Sequence, residues 1–150
     1  MAKKISDVLK LKLDNAVKSL LTPKFMGELA DNIKTDIIKR TKLGYGVEKS
    51  EGPQSKLKPL SPEYKKARKE LQLGEFASPA KSNLTLTGDM LNDLKSKVTE
   101  TKVTIFLGSQ FSKDKAKWNA ERGRTFMNIS KTQIAKLTSL ITLKLKELLK

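Results

Sequence analysis

The chain of 150 residues contains no cysteine and no histidine. The first absence excludes disulfides and thiolate metal sites, and the second removes the usual general base near neutral pH. Together they exclude Cys–His nucleophilic sites. Aromatic residues make up 5% of the chain, with a single tryptophan, so the core must be aliphatic and modest in size. Acidic residues are also scarce, 16 against 31 Lys plus Arg, which leaves a formal charge of +15. No uninterrupted apolar run approaches the roughly 18–20 residues of a membrane-spanning helix. The opening Met1-Ala2-Lys3-Lys4-Ile5, with Lys10 and Lys12 soon after, does not read as a signal peptide. No membrane association is therefore expected.

The basic excess is spread along the chain rather than gathered in a tail, which favours a broad positive surface over a disordered arm. Such a surface implies a polyanionic neighbour, nucleic acid or acidic protein, or else a merely solvated face. Catalytic machinery is not legible. No carboxylate cluster, phosphate-cradling loop or activated nucleophile can be named, so no catalytic residue, metal or cofactor is expected. Gly44-Tyr45-Gly46 lacks the preceding strand and the third glycine of a dinucleotide site. Asp89 and Asp93, four apart, read as compensation of a helix dipole and a solvated face.

What the chain does contain is one stretch of alternating β-branched and polar residues, from Leu84 to Ser130, around which the rest is organised. The expected fold is a single α+β domain over residues 1–150. Its small antiparallel sheet is a hairpin at about 94–109 plus a strand at about 125–129. N-terminal helices and a long C-terminal amphipathic helix cover it. In the second hairpin strand Val103, Ile105 and Leu107 should point inward, and Thr104 and Phe106 outward. Long loops are expected at 44–58, 75–83 and 110–124.

The flanks read as helix. Ile5 to Leu21 has an apolar stripe of Leu9, Leu13, Ala16, Val17, Leu20 and Leu21, with Ser6 as its cap. Thr22-Pro23 ends it and starts a helix running to about Lys42, either as a hairpin or as a kink in one long helix. Ser61-Pro62 opens a short helix ending at Gly74, with Leu60, Tyr64, Ala67 and Leu71 inward, and Thr87 caps another. Ser130 and Gln133 form a capping-box pattern ahead of Ile134, Leu137, Ile141, Leu145 and Leu148. Leu140, Leu143 and Leu149 widen that stripe beyond what one small sheet covers, which points either to deeper burial or to a second partner surface. The 110–124 insert is basic, with one or two helical turns around Ala116 to Glu121. Trp118 within it is either pinned into the core or set as an interface anchor.

Several pieces occur in a recognisable order. They are Pro59-Leu60-Ser61-Pro62-Glu63-Tyr64, then Leu84-Thr85-Leu86-Thr87-Gly88-Asp89-Met90-Leu91, then Val103-Thr104-Ile105-Phe106-Leu107-Gly108-Ser109, then Arg124-Thr125-Phe126-Met127-Asn128-Ile129-Ser130, then the C-terminal helix. From about Leu57 onward this order and spacing resembles the bacteriophage neck or tail-completion proteins of the virion-morphogenesis type. The chain departs from that pattern in having no histidine in the insert and Gly123 where proline is frequent.

The resemblance implies a structural virion protein, not an enzyme. It would form a six- or twelve-fold ring at the head–tail junction, joining the connector to the tail around the DNA path. The protein would be made in the host cytoplasm and located in the virion. Its partners would be further copies of itself, portal or connector and tail proteins, and packaged double-stranded DNA through non-specific phosphate contacts. Candidate DNA-channel residues are Lys113, Lys115 and Lys117, with Lys39, Arg40 and Lys42 as a second set. Candidate subunit-interface residues are Tyr45, Tyr64, Trp118, Arg122 and Arg124, with Arg124 suited to bidentate carboxylate pairing. The alternative class is a basic cellular nucleic-acid-binding protein, ribosomal or nucleoid-like, although no helix-turn-helix spacing or aromatic-rich RNA-binding strand is present.

Overall fold

Thr22-Pro23 divides the N-terminal third into two separate helices, α1 (Ala2–Leu20) and α2 (Pro23–Lys42). The Thr22 hydroxyl accepts from the Phe25 N–H at 3.2 Å, and Pro23 occupies the first helical position, where an N–H is not needed. The computed structural model describes residues 2–70 and 88–150, with side chains from residue 8 onward. Ser6 lies inside α1 rather than at its cap, because the helix already begins at Ala2. The two helices are neither a hairpin nor one kinked rod. α1 packs chiefly on the C-terminal helix, whereas α2 runs across the middle of the molecule.

The remaining elements are β1 (Tyr45–Gly46), β2 (Ser55–Lys56), α3 (Pro62–Glu70), α4 (Asp89–Asn92), β3 (Leu94–Val98), β4 (Val103–Leu107), α5 (Gln110–Glu121) and α6 (Lys131–Leu148). The fold is α+β with a long C-terminal helix, as expected. β3 and β4 pair antiparallel from Leu94↔Leu107 to Val98↔Val103. The turn closes through Thr99 N–H to the Lys102 carbonyl at 2.8 Å. Val103 and Ile105 are half-buried and Leu107 is buried, while Thr104 and Phe106 are exposed, which is the anticipated facing.

The element on which the others converge is α2, not the 84–130 stretch. Its buried side recurs at Phe25, Met26, Leu29, Ile33 and Ile37, the spacing of one helical face. The C-terminal half of that face, Ile33 and Ile37, joins Met90, Leu91, Leu94, Leu107 and Phe126 in one cluster. The N-terminal half, Phe25, Met26 and Leu29, joins Leu20 in a second cluster. Leu137, Leu140, Ile141 and Leu145 of α6 pack against it. Thus the two clusters follow one another along a single face of α2, and Val103 and Leu137 pack against both.

The expected third strand is absent. Residues 125–129 run as irregular chain, so the sheet beside α2 has two strands only. The reason lies in their hydrogen bonds. The Phe126 and Asn128 carbonyls accept from the Arg40 guanidinium, the former at 2.6 Å. The Thr125 carbonyl accepts from Val47 N–H at 3.1 Å and that of Ile129 from Glu51 N–H at 2.8 Å. The Asn128 side-chain amide donates to the Val47 and Glu48 carbonyls, both at 3.0 Å. With the carbonyls of Thr125, Phe126, Asn128 and Ile129 taken up by these scattered donors, no regular ladder runs along the segment.

The 44–58 loop is more ordered than expected. β1 and β2 pair within it, and Val47 and Leu57 are buried. The 110–124 insert is not a loop either. Ser109 caps α5 by accepting from Ser112 N–H at 3.1 Å, and the helix runs twelve residues. At its far end Gly123 takes a positive φ of 72°. Ser130 caps α6 as its sequence implies, accepting from Gln133 N–H at 3.1 Å. In α3 the inward residue is Arg68, while Tyr64 and Ala67 face solvent. Leu60 is buried. Leu71, Gly74, Thr87 and the 75–83 loop lie outside the described residues.

Candidate functional site

Helical periodicity selects the residues that come together on α5. Lys115, Trp118, Asn119 and Arg122 fall at i, i+3, i+4 and i+7 and share one face. Across from them α3 presents Tyr64 and Arg68, again four apart. The two faces bound a cleft of about 340 Å³. Its buried members are Leu60, Met90 and Arg68, the last only 2% exposed. Trp118 and Tyr64, 57% and 42% exposed, stand at its opening. Trp118 is therefore not pinned into the core.

Four cations meet here: Arg68, Lys115, Arg122 and Arg124. Arg122, Lys115 and Arg124 are held by groups of the chain itself. The Arg122 guanidinium lies 3.7 Å from the Trp118 ring centre, and its Nη1 donates to the Trp118 carbonyl at 3.2 Å. The Lys115 ammonium sits 4.0 Å from the centre of the Phe111 ring. Arg124 donates from Nε to the Lys58 carbonyl and from Nη2 to that of Pro59, both at 3.0 Å. Those two donors of Arg124 are thus engaged within its own chain, anchoring the segment that leads into Leu60.

The structure brings four of the five interface candidates, Tyr64, Trp118, Arg122 and Arg124, into this one cleft, and Lys115 with them. Tyr45 is apart from it, on β1. Because the insert is helical, the three lysines do not form one cluster. Lys113 and Lys117 share one face, and Lys115 lies on another about 160–200° round the helix. The second channel set is also divided. Lys39 and Lys42 are exposed, but Arg40 is only 4% exposed and structural. Its Nη1 donates to Asp36 Oδ2 at 2.9 Å. Burial pushes the Arg40 guanidinium down from its ordinary value and Asp36 pulls it back up, so it stays cationic. Arg68 is the cleft residue that sequence reasoning missed. A single arginine in a Lys-rich helix gives no sign of facing inward.

Asp93 ends α4 and ties the hairpin to α5. Its Oδ2 accepts from Ser109 N–H at 2.7 Å and from the Ser109 hydroxyl at 2.8 Å. The Ser109 N–H, with the Ser112 and Ser109 side chains after it, holds this carboxyl at about 2, below its ordinary 3.8. A depressed folded-state value means stability present above the ordinary value and lost as pH falls through the folded one. Acid unfolding of the protein should therefore steepen between about pH 4 and pH 2. Asp93→Asn should flatten that portion of a melting-temperature-against-pH curve. Coincident slopes for variant and parent would disprove the role of this clip. Among the described residues no group of acidic side chains could hold a metal ion.

A second surface feature is apolar. On α1, Leu9 and Leu13 continue the stripe of buried Ala16 and Leu20, yet Leu9 is 62% exposed. Val8 and Leu11 are also exposed, and so are Leu143, at 60%, and Leu148 on α6 and Leu149 just after it. No helix among the described residues is long and apolar enough to cross a membrane. Compared with known proteins, the chain matches no family model, no curated protein and no solved structure.

Proposed function

We propose that this chain is a structural virion protein of a tailed bacteriophage. It assembles as a ring at the head–tail junction that joins the connector to the tail and surrounds the DNA path. The observation that carries this reading, beside the motif order, is the apolar surface of α1 and α6. Leu9 and Leu13, four apart on one face of α1, are both exposed, and so is Leu143 on α6, which is costly for a chain that remains alone. A head-to-tail interface on such a surface closes into a ring when its rotation divides the circle. The exposed lysines, Lys113 and Lys117 on one face of α5 and Lys39 and Lys42 on α2, would then supply phosphate contacts in the lumen. Such contacts read no sequence and weaken steeply with salt. A cellular nucleic-acid-binding protein would share the charge of +15 but has no need of the apolar face.

The test is co-expression with the products of the neighbouring genes, followed by native mass spectrometry and electron microscopy. A closed ring of six or twelve copies is expected. Leu9→Glu combined with Leu143→Glu should keep the helical circular dichroism and lose the ring. A monomer or two-fold dimer in every combination, with tight binding to free nucleic acid, would overturn the proposal in favour of the cellular reading.

A further inference from the structure

The cleft between α3 and α5 has features that a DNA-facing surface does not require. We infer that it is a binding site for an acidic peptide segment of a partner protein. An aliphatic side chain would rest on Leu60 and Met90, and a neighbouring carboxylate would meet Lys115 and Arg122. This inference does not depend on the ring, because the site lies within one chain.

Charge comes first. Besides buried Arg68, the lining contains three cations, Lys115, Arg122 and Arg124, and, among the described residues, no carboxylate. The chain as a whole carries +15. A partner segment entering this cleft must offset that charge, and an acidic one does so. The shape comes second. A phosphate backbone is met by exposed cations and needs no apolar base. Here the buried side chains of Leu60 and Met90 give the base an apolar part beside buried Arg68, beneath a charged wall. That combination suits a peptide, with one greasy anchor and flanking carboxylates.

The aromatic residue bears on the choice between a peptide and a single-stranded nucleic acid, because it offers at most one ring face for stacking. A base would require an open ring face on which to stack. The Arg122 guanidinium already covers one face of Trp118, at 3.7 Å from its centre. The same contact, with the bond to the Trp118 carbonyl, holds Arg122 in place before any ligand arrives. Lys115 over Phe111 and Arg124 on two carbonyls are likewise set in advance. Cations ordered before binding lose less freedom on meeting a carboxylate, and a guanidinium can take it with two parallel hydrogen bonds.

Trp118 is the only tryptophan, so its fluorescence reports this cleft alone. The experiment titrates the full chain at low salt with a blocked peptide, acetyl-Glu-Glu-Leu-Glu-Glu-Leu-Glu-amide. Parallel titrations use the same peptide with every Glu changed to Gln, a single-stranded oligodeoxynucleotide, and a short duplex. A saturable shift of Trp118 emission is expected with the acidic peptide only. Lys115→Gln and Arg122→Gln should each weaken that response about tenfold, as loss of a charge-assisted contact does. Lys113→Gln, on a different face of α5, should leave it unchanged. The proposal fails if the acidic peptide produces no shift or if the Gln peptide matches it. It fails equally if either oligonucleotide moves Trp118 at lower concentration, or if Lys113→Gln weakens binding as much as Arg122→Gln.

Discussion

Arg40→Leu is expected to destabilise the protein by about 3–5 kcal/mol, the usual cost of removing one partner from a buried charged network. Out of a total stability on the order of 5–15 kcal/mol for a domain, that loss leaves little margin. Arg40 is 4% exposed and satisfies three acceptors at once, Asp36 and the carbonyls of Phe126 and Asn128. Leucine fills part of the volume but leaves a carboxylate and two carbonyls without their donor. Two further variants separate these contributions. Asp36→Leu combined with Arg40→Leu removes the orphaned carboxylate and should recover part of the loss. The two carbonyls of the 126–128 segment remain unpaired in that double variant, so recovery should be incomplete. Arg40→Lys keeps the charge but has one ammonium in place of a fork, and should fall between parent and Arg40→Leu. Urea unfolding measures all three. Full recovery in the double variant would show that the hold on 126–128 contributes nothing.

The same residue explains why part of the fold was not legible in the sequence. Thr125-Phe126-Met127-Asn128-Ile129 has the composition of a strand, and Phe126 is buried as a strand residue would be. Whether a strand forms depends on a backbone partner, and here the Arg40 side chain, more than eighty residues away, supplies the donor to Phe126 and Asn128, while Val47 and Glu51 N–H reach only Thr125 and Ile129. Periodicity carries no information about that. Helix α5 was obscured for a different reason. Its face of Lys115, Trp118, Asn119 and Arg122 lines a cleft, so the apolar period that marks a core-facing helix is missing. The Ser109 cap was the available signal. Where a face packs on the core the sequence was sufficient. The alternation of β4, the Thr22-Pro23 break and the Ser130 cap all follow from local chemistry. In the cleft, Trp118, Arg122 and Tyr64 were visible as residues without a core role, whereas their convergence and the burial of Arg68 required the tertiary fold.

Gly46→Ala should be the second severe substitution, at about 3 kcal/mol, the upper part of the range for overpacking. A Cβ on Gly46 would lie 2.2 Å from the Thr125 carbonyl oxygen and 2.5 Å from Leu57 Cδ2. Leu57 can rotate only within a buried site. The Thr125 oxygen cannot retreat without breaking its bond from Val47 N–H, at 3.1 Å, which joins the 44–58 loop to the segment before α6. Gly27→Ala is the control. It lies inside α2 with nothing within 4 Å of the added carbon, so it should stabilise by about 0.5–1 kcal/mol through helix propensity. Thermal or urea unfolding of the pair should therefore give shifts of opposite sign. A Gly46→Ala protein within 0.5 kcal/mol of the parent would refute the close approach of the two segments. The consequence reaches the cleft. Beyond Gly46 the loop returns through β2 and Leu57 to the carbonyls of Lys58 and Pro59 that Arg124 grips, and then to Leu60. Displacing Gly46 from Thr125 shifts both ends of that grip, so Gly46→Ala should weaken the acidic-peptide response of Trp118 even at temperatures where the chain remains folded.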